Sequence, residues 1–204
     1  MDKNTLIKQG DKLEVFVEDY GVNSEGIAKK DGFVIFIPFA LKGERVLIRI
    51  DHVKKNFAYA ALLSVLEASP FRVTPVCNRF TRCGGCDILN VAYEEQLRIK
   101  KSAVETTIAR NYREGLLIDD VVPSKQFAYR NKMALPFGTV NGKTAVGFYQ
   151  EKTHKIASIT KCFLQGEWAE KLIDVVLSYA NGEGIAAYDE KSAVKAFYAT
   201  FTRA

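Results

Sequence analysis

The residues of this chain best suited to chemistry are its four cysteines. Cys77, Cys83 and Cys86 fall within ten residues, a Gly-Gly dipeptide separates the last two, and Cys162 follows much later. Four thiolates are the ligand set of an iron–sulphur cluster or of structural zinc. The glycines let the backbone pass close to a bulky group, and only one Cys-x-x-Cys pair is present where structural zinc sites commonly use two. This spacing favours a cluster, with zinc or four unrelated buried thiols as the alternatives.

Composition restricts the class of protein that could carry these thiols. The 204 residues are 48% hydrophobic and 26% charged, which excludes a disordered or collagen-like chain and allows one large or two small domains. The longest apolar stretch, residues 33–41, is shorter than the roughly 18 residues of a membrane span, and no secretion signal begins the chain. We therefore expect a cytoplasmic protein with reduced thiols and no membrane partner. The net charge of +5 permits a polyanionic partner without requiring one.

Residues 1–67 have the alternating pattern of short β-strands. Leu13, Val15 and Val17 share one face of the first strand, and Asp31-Gly32 marks a hairpin turn. Residues 33–38 are apolar at every position, which predicts a strand buried on both faces. Five such segments at a spacing of about ten residues predict a small closed barrel of the OB type.

Residues 68–192 follow a different pattern that predicts an α+β domain. Asn141-Gly142 is a hairpin signal between two of its strands. The apolar stripe of its first helix is expected to contain Tyr93, Leu97, Val104 and Ile108. The predicted elements are a helix over 92–111, strands over 116–122, 131–137, 144–148 and 156–160, and a second helix over 168–179.

Several motifs in this order resemble the RumA/TrmA-like RNA uracil-C5 methyltransferases, over residues 8–192. The barrel resembles the TRAM domain of that family through Gly26-Ile27-Ala28, Phe36-Ile37-Pro38 and Gly43-Glu44. The remaining motifs are Cys-x5-Cys-Gly-Gly-Cys-Asp from Cys77, Tyr-x2-Gln-Leu-x2-Lys from Tyr93, Tyr129-Arg-Asn-Lys, Gly147-Phe-Tyr, and Cys162.

The resemblance implies a [4Fe-4S] cluster on Cys77, Cys83, Cys86 and Cys162, and binding of ribosomal RNA or transfer RNA. It also implies methylation of uracil C5 with S-adenosylmethionine. In that chemistry a cysteine thiolate adds to C6, C5 attacks the methyl group, and a base removes the C5 proton.

The catalytic half of that family is not recognisable in this sequence. After residue 150 we find no glycine-rich loop for the methyl donor, and no fifth cysteine remains as nucleophile. We therefore assign no catalytic residue and expect the N-terminal part of an enzyme, with a C-terminal Rossmann-like domain and its S-adenosylmethionine site absent. Residues 193–204 depart from the family pattern, which suggests a frameshift near Ser192, with a trimmed chain as the alternative.

Cations beside aromatic residues are the candidates for RNA contact. In the cysteine loop these are Arg79, Phe80 and Arg82, which could instead shield the sulphur atoms. In the barrel they are Arg49, Lys54 and Lys55, beside Phe57 and Tyr59, and at the start of a later strand they are Arg130 and Lys132.

Plain solvated surface is the alternative for the barrel cations, and bracing of the fold is the alternative for Arg130 and Lys132. We expect a monomer. The alternative functions are a zinc-containing RNA-binding module and an iron–sulphur electron carrier.

Overall fold

The computed structural model describes residues 7–112, 116–151, 153–187 and, for the backbone alone, 199–202. The chain divides into two compact units, and it enters the second unit twice. The first unit contains Met1–Thr74 and Asp87–Pro123, and the second contains Pro75–Cys86 and Ser124–Ala204.

A closed five-stranded barrel forms most of the first unit. Its strand order is β1-β2-β3-β5-β4, in which β3 and β5 are parallel and the other pairs antiparallel. The five segments predicted from alternation are these five strands. They are β1 (Lys12–Tyr20), β2 (Gly26–Lys30), β3 (Phe33–Ile37), β4 (Arg45–Val53) and β5 (Phe57–Glu67).

Branched aliphatic residues at alternate strand positions fill the barrel. Val17, Ile35, Val46, Ile48 and Ile50 are all fully buried in one cluster. Inward and outward positions alternate along every strand of a small barrel, so this set follows directly from the period of two. The barrel therefore has a filled interior, and its outer surface and loops remain for partners.

The prediction that the third strand is buried on both faces was wrong. Ile35 and Ile37 are fully buried, whereas Val34 and Phe36 are only partly covered. On the outer face the ring of Phe36 packs against the neighbouring rings of Phe57 and Tyr59, which cover it only in part.

The helix α1 (Tyr93–Asn111) lies where it was predicted but buries a different face. Its buried residues are Glu95, Gln96 and Ile99, whereas Val104 of the predicted stripe is exposed. Burial of polar groups is tolerated when their hydrogen bonds are made. Gln96 Nε2 donates to the Val91 carbonyl at 2.9 Å, and the Glu95 carboxylate accepts a bond from Arg98 at 2.8 Å.

Two small sheets and one helix form the described part of the second unit. The hairpin signal is confirmed, because Asn141 and Gly142 have φ of 51° and 75°, as the turn between two paired strands requires. One sheet has the order β7-β8-β9 and the other pairs β6 with β10. The elements are β6 (Lys132–Leu135), β7 (Phe137–Val140), β8 (Lys143–Tyr149), β9 (Ile156–Ser158), α2 (Trp168–Gly182) and β10 (Ala199–Thr202).

Two kinds of element are absent from the described residues. The strand predicted over 116–122 is not formed, since these residues pair with no strand and Leu117 is 100% exposed. No helix in this part of the chain is both long enough and apolar enough to cross a bilayer. Most of the predicted non-family tail, 193–204, lies outside the described residues, and the predicted boundaries at 67 and 192 stay predictions.

Candidate functional site

The cysteine loop, Cys77–Cys86, is organised by tight turns of its own backbone. The Arg79 carbonyl accepts hydrogen bonds from the amides of Arg82 at 3.1 Å and Cys83 at 2.8 Å. These bonds hold Thr81 at φ 70°, a left-handed conformation that is unfavourable for a β-branched residue. Strain of this kind persists where the surrounding structure fixes the backbone, and it is common at ligand sites.

The Gly-Gly dipeptide attaches this loop to the end of β8. The amide of Gly84 donates to the Tyr149 carbonyl at 2.9 Å, and a Cβ on Gly84 would lie 2.8 Å from the same oxygen. A Cβ on Gly85 would lie 3.4 Å from Cys83 Sγ. Glycine at position 84 therefore permits a close approach that a side chain would prevent, whereas a Cβ at position 85 would make only an ordinary van der Waals contact.

The four thiols lie near one another in the second unit and are partly buried. Burial, with a smaller contribution from the neighbouring cysteines, raises the pKa of Cys86 to about 11, and the Arg130 guanidinium opposes this shift. Burial also raises the pKa of Cys83. Both shifts favour the protonated thiol over the thiolate, so a metal group that binds thiolates would displace these protons.

Cys162 and Arg130 belong to two segments that are tied together. The backbone N–H of Gln165 donates a hydrogen bond to the Cys162 carbonyl at 3.0 Å. Arg130 forms a parallel β-bridge with Gln165, and its backbone N–H donates to the Leu164 carbonyl at 3.0 Å. The Gln165 side chain is buried and donates from Nε2 to the Lys132 carbonyl at 3.2 Å. Its Oε1 has no hydrogen-bond partner among the described residues, which is unusual for a buried acceptor.

The donor chemistry of the cysteines suits a metal group, but their arrangement does not suit a single ion. In the described part of the chain, no three cysteine, histidine or acidic side chains are arranged to hold one metal ion. A tetrahedral zinc site needs four donors around one point. Four thiolates are the donor set of both groups, so in chemistry the residues present fit either an iron–sulphur cluster or zinc.

The predicted RNA-contacting residues of the second unit lie in the cysteine loop and in the segment that leads into and begins β6. Arg82 is exposed in the loop, and Arg79 and Phe80 are partly buried there. Arg130 is partly buried with its guanidinium 6.0 Å from the Tyr129 ring centroid, and Lys132 is exposed at the start of β6. Arg130 is also near enough to Cys86 for its charge to lower the pKa of that thiol, whereas the sequence placed it only at a strand start.

The predicted RNA-contacting residues of the first unit lie on β4 and in the turn after it. Arg49 is exposed but bound to Asp51 at 2.9 Å, so its charge is already neutralised. Lys54 and Lys55 are exposed in the β4–β5 turn, and neither forms an ion pair with any residue the structure describes.

Sequence reasoning missed two residues at these sites. Phe36 was assigned to a buried face, yet its ring lies 5.6 Å from those of both Phe57 and Tyr59 on the outer surface. Gln165 was not considered, because a single glutamine carries no motif. The spacing of Phe57 and Tyr59, two residues apart, was the one available signal for the aromatic surface.

Substituting Gly84 with alanine tests the attachment of the cysteine loop. The added Cβ would meet the Tyr149 carbonyl, so we expect the loop to separate from β8 and the Cys83 and Cys86 thiols to react severalfold faster. The measurement is the rate of modification by a maleimide in metal-free, reduced protein, followed by peptide mass spectrometry. Asn78→Ala, an exposed change in the same loop, is the matched control. Equal rates in the two variants would contradict this role of Gly84.

Comparison with known proteins gives one domain match and a group of related chains. Residues 7–63 match the TRAM domain family. An uncharacterised RNA methyltransferase of Clostridium acetobutylicum is 34% identical over 196 residues, covering 94% of this chain and 43% of its own. An uncharacterised RNA methyltransferase of Halalkalibacterium halodurans is 36% identical over 187 residues, covering 91% of this chain and 41% of its own.

A solved structure agrees in fold. The crystal structure of a Pyrococcus abyssi tRNA (uracil-54, C5)-methyltransferase, in complex with S-adenosyl-L-homocysteine, aligns with a TM-score of 0.67 at 23% identity. The alignment covers 92% of this chain and 42% of that one. At this level of identity the likeness concerns the fold.

These matches correct the predicted fold class, which had the C-terminal Rossmann-like domain and its S-adenosylmethionine site absent. That absence was inferred from the lack of a glycine-rich loop after residue 150 and of a fifth cysteine, and the matches overturn it as a fold assignment. Nearly the whole chain aligns with methyltransferase chains, 94% of it in one relative. The chain spans about two fifths of the length of the curated relatives it matches, so its length sets no limit on the domains of the protein. Residues 7–63 are thus a TRAM domain, in a chain whose relatives are named RNA methyltransferases.

Proposed function

We propose that this chain belongs to an S-adenosylmethionine-dependent RNA methyltransferase that acts on C5 of uracil. The observation that carries the proposal is the alignment of over nine tenths of the chain with relatives named RNA methyltransferase at 34–36% identity. The TRAM barrel supports RNA as the substrate, and the fold shared with a uracil-C5 methyltransferase supports the position of methylation. That neighbour binds S-adenosyl-L-homocysteine, the product of the methyl donor.

Ribosomal RNA or transfer RNA is the proposed substrate class, and the cytoplasm, where both are found, is the proposed location. The protein is proposed to act as a monomer. In the described residues, cations and aromatic side chains of both units are available to bind RNA, among them Lys54, Lys55, Arg82 and Lys132.

Release of the C5 hydrogen tests the proposed reaction. Methylation replaces the C5–H bond with a C5–CH3 bond, so one proton leaves for every methyl group transferred. The protein encoded by the complete gene should release tritium from RNA that contains uridine tritiated at C5, and only when S-adenosylmethionine is present. Methyl incorporation without tritium release would place the reaction at another atom, and no incorporation would exclude methylation. Both results would overturn the proposal.

We also propose that Cys77, Cys83, Cys86 and Cys162 hold a [4Fe-4S] cluster in this protein. Two observations support it: the pure thiol donor set, and Gly84, which allows the loop to approach the end of β8 closely. When bound, such a cluster would join the loop at 77–86 to the segment at Cys162. Methyl transfer has no net redox step, so the group is proposed to be structural.

Metal analysis of anaerobically purified protein distinguishes the cluster from zinc. We expect brown protein with about four iron and four sulphide per chain. Cys162→Ser should lower the iron content, because it removes one ligand while leaving the loop intact, and Asn78→Ala should retain it as the control. Colourless protein with about one zinc per chain would overturn the cluster.

A further inference from the structure

The outer surface of the barrel carries three aromatic rings in mutual contact where β3 and β5 meet. The centroid distances are 5.6 Å from Phe36 to Phe57, 5.6 Å from Phe36 to Tyr59 and 5.5 Å from Phe57 to Tyr59. The parallel register places Phe36 directly beside Tyr59, so the strands themselves fix this aromatic cluster.

These rings contribute nothing to the barrel interior. Ile35, Ala58 and Ala60, the residues that alternate with them, are the inward ones and are buried in the core. Tyr59 is 37% exposed. An aromatic cluster held on the outside of a filled barrel offers flat π surfaces to solvent, which is how OB-type proteins bind unpaired bases.

Unneutralised cations lie in the turn that leads into this cluster. Lys54 and Lys55 are exposed, and the amide of Lys54 donates to the Phe57 carbonyl at 2.8 Å. Neither lysine has a carboxylate partner among the residues that the structure describes. Four other cations of the barrel are paired: Lys29 with Glu18, Lys42 with Asp19, Arg45 with Glu14 and Glu67, and Arg49 with Asp51.

Flat aromatic surfaces beside free positive charge match the chemistry of one kind of partner. A single-stranded nucleic acid presents bases that stack and phosphates that attract cations, whereas a duplex hides its base faces. Because stacking makes no use of base edges, such a site accepts any sequence.

We infer that Phe36, Phe57 and Tyr59, with Lys54 and Lys55, form a stacking site for unpaired nucleotides of the RNA substrate. The inference rests on the proposed function only in taking RNA as the natural ligand. This site holds an unpaired stretch by its bases and phosphates, without reading its sequence. It favours RNA segments that are already single-stranded.

Binding of a single-stranded oligouridine that contains one 2-aminopurine tests this site in the full chain. Stacking of 2-aminopurine on a ring quenches its emission, which reports the stacking itself. Tyr59→Ala should weaken binding about tenfold and remove most of the quenching. Tyr59→Phe, which keeps the ring, should stay within twofold of the wild type.

Phe16→Ala is the matched control, because Phe16 is also an exposed aromatic residue of the barrel but lies on β1, outside the cluster. It should leave both affinity and quenching unchanged. Replacing Lys54 and Lys55 with glutamine should make the binding constant less sensitive to salt. The slope of its logarithm against the logarithm of the salt concentration should fall by about 0.7 for each phosphate that the protein no longer neutralises. The same sequence presented as a duplex should bind without quenching.

Two results would overturn the site: an affinity of Tyr59→Ala within twofold of the wild type, or an equal loss in Phe16→Ala. Amide hydrogen exchange of β3 and β5 identifies any variant whose barrel has opened. If Tyr59→Ala is such a variant, the affinity of Tyr59→Phe decides, because that variant keeps the ring. The tritium-release assay is independent. Tritium release with no effect of Tyr59→Ala on binding would remove this site and leave the proposed function. Quenching that Tyr59→Ala removes, in a protein that does not methylate RNA, would keep this site and remove the proposed function.

Discussion

Glu44→Ala is expected to destabilise the first unit by about 3 kcal/mol, since removing one partner of a buried ion pair leaves the other uncompensated. Glu44 is fully buried, and its carboxylate binds the Arg72 guanidinium in a bidentate manner, with Nη2 donating to Oε2 at 2.7 Å. The same carboxylate accepts the amides of Leu41 at 2.8 Å and Ser69 at 3.3 Å. Alanine would leave all of these donors without their acceptor.

Amide hydrogen exchange of barrel peptides in increasing urea measures this loss. Glu67→Ala is the matched control, because Glu67 also pairs with an arginine, Arg45 at 3.0 Å, but on the exposed surface. Exposed pairs contribute about 0–1 kcal/mol, so the control should lie close to the wild type. The double variant Glu44→Ala/Arg72→Ala should lose less than the sum of the single variants, because the two residues share one interaction. An additive result would contradict the coupling.

Gly147→Ala is expected to destabilise the second unit by about 3 kcal/mol, the upper part of the range for an overpacked site. Gly147 lies opposite Ser158 in the β8–β9 pair, and a Cβ there would overlap the Ala157 carbonyl oxygen and approach Ser158 Cα at 2.9 Å. These are backbone atoms of a paired strand, so they cannot move without breaking the pairing. We therefore expect β9 to separate from β8.

Unfolding followed by the fluorescence of Trp168, the single tryptophan of the chain, measures this effect. Trp168 packs on the cluster that contains Val146 and Ile159, which flank the β8–β9 pair, so its emission reports that core. Gly182→Ala is the matched control: it lies at the end of α2, where a Cβ would meet nothing within 4 Å. Its stability should equal or slightly exceed that of the wild type, because alanine lowers the entropy of the unfolded chain. If Gly147→Ala unfolded at the same midpoint as the wild type, the predicted clash would be refuted.

The barrel was predictable because apolar residues that recur at every second position show directly which side chains of a strand face inward. Val17, Ile35 and Ile48 occupy the core as the alternation requires. The hairpin at Asn141-Gly142 was predictable for a similar reason, since both residues tolerate positive φ.

The errors arose where contacts that a hydropathy pattern does not encode decide which side chains are buried. The face of α1 that is buried depends on hydrogen bonds such as that from Gln96 to Val91, which satisfy polar groups that a hydropathy pattern places outside. The apolar outer positions of β3 suggested burial, whereas Phe36 is covered by rings of β5 that only the closed barrel brings beside it.

The candidate site was predictable in composition but not in surroundings. Spacing selected the cysteines, because three lie within one loop. It could not show that Arg130 lies near Cys86, or that Gly84 contacts the end of β8, since these interactions join segments that only the folded chain brings together. The predicted [4Fe-4S] group and the RNA contacts stay predictions that the experiments above test.

The partners of Glu44 determine how much of the chain must accompany this barrel when its gene segment moves into another protein. The TRAM match ends at residue 63, whereas the carboxylate is bound by Ser69 and Arg72. A gene segment that carried only the matched residues into another protein would deliver a buried acid without its cation and one of its amide donors. Recombination that moves this barrel between genes is therefore expected to succeed when the joint falls after residue 72, or when the recipient supplies an arginine in that place.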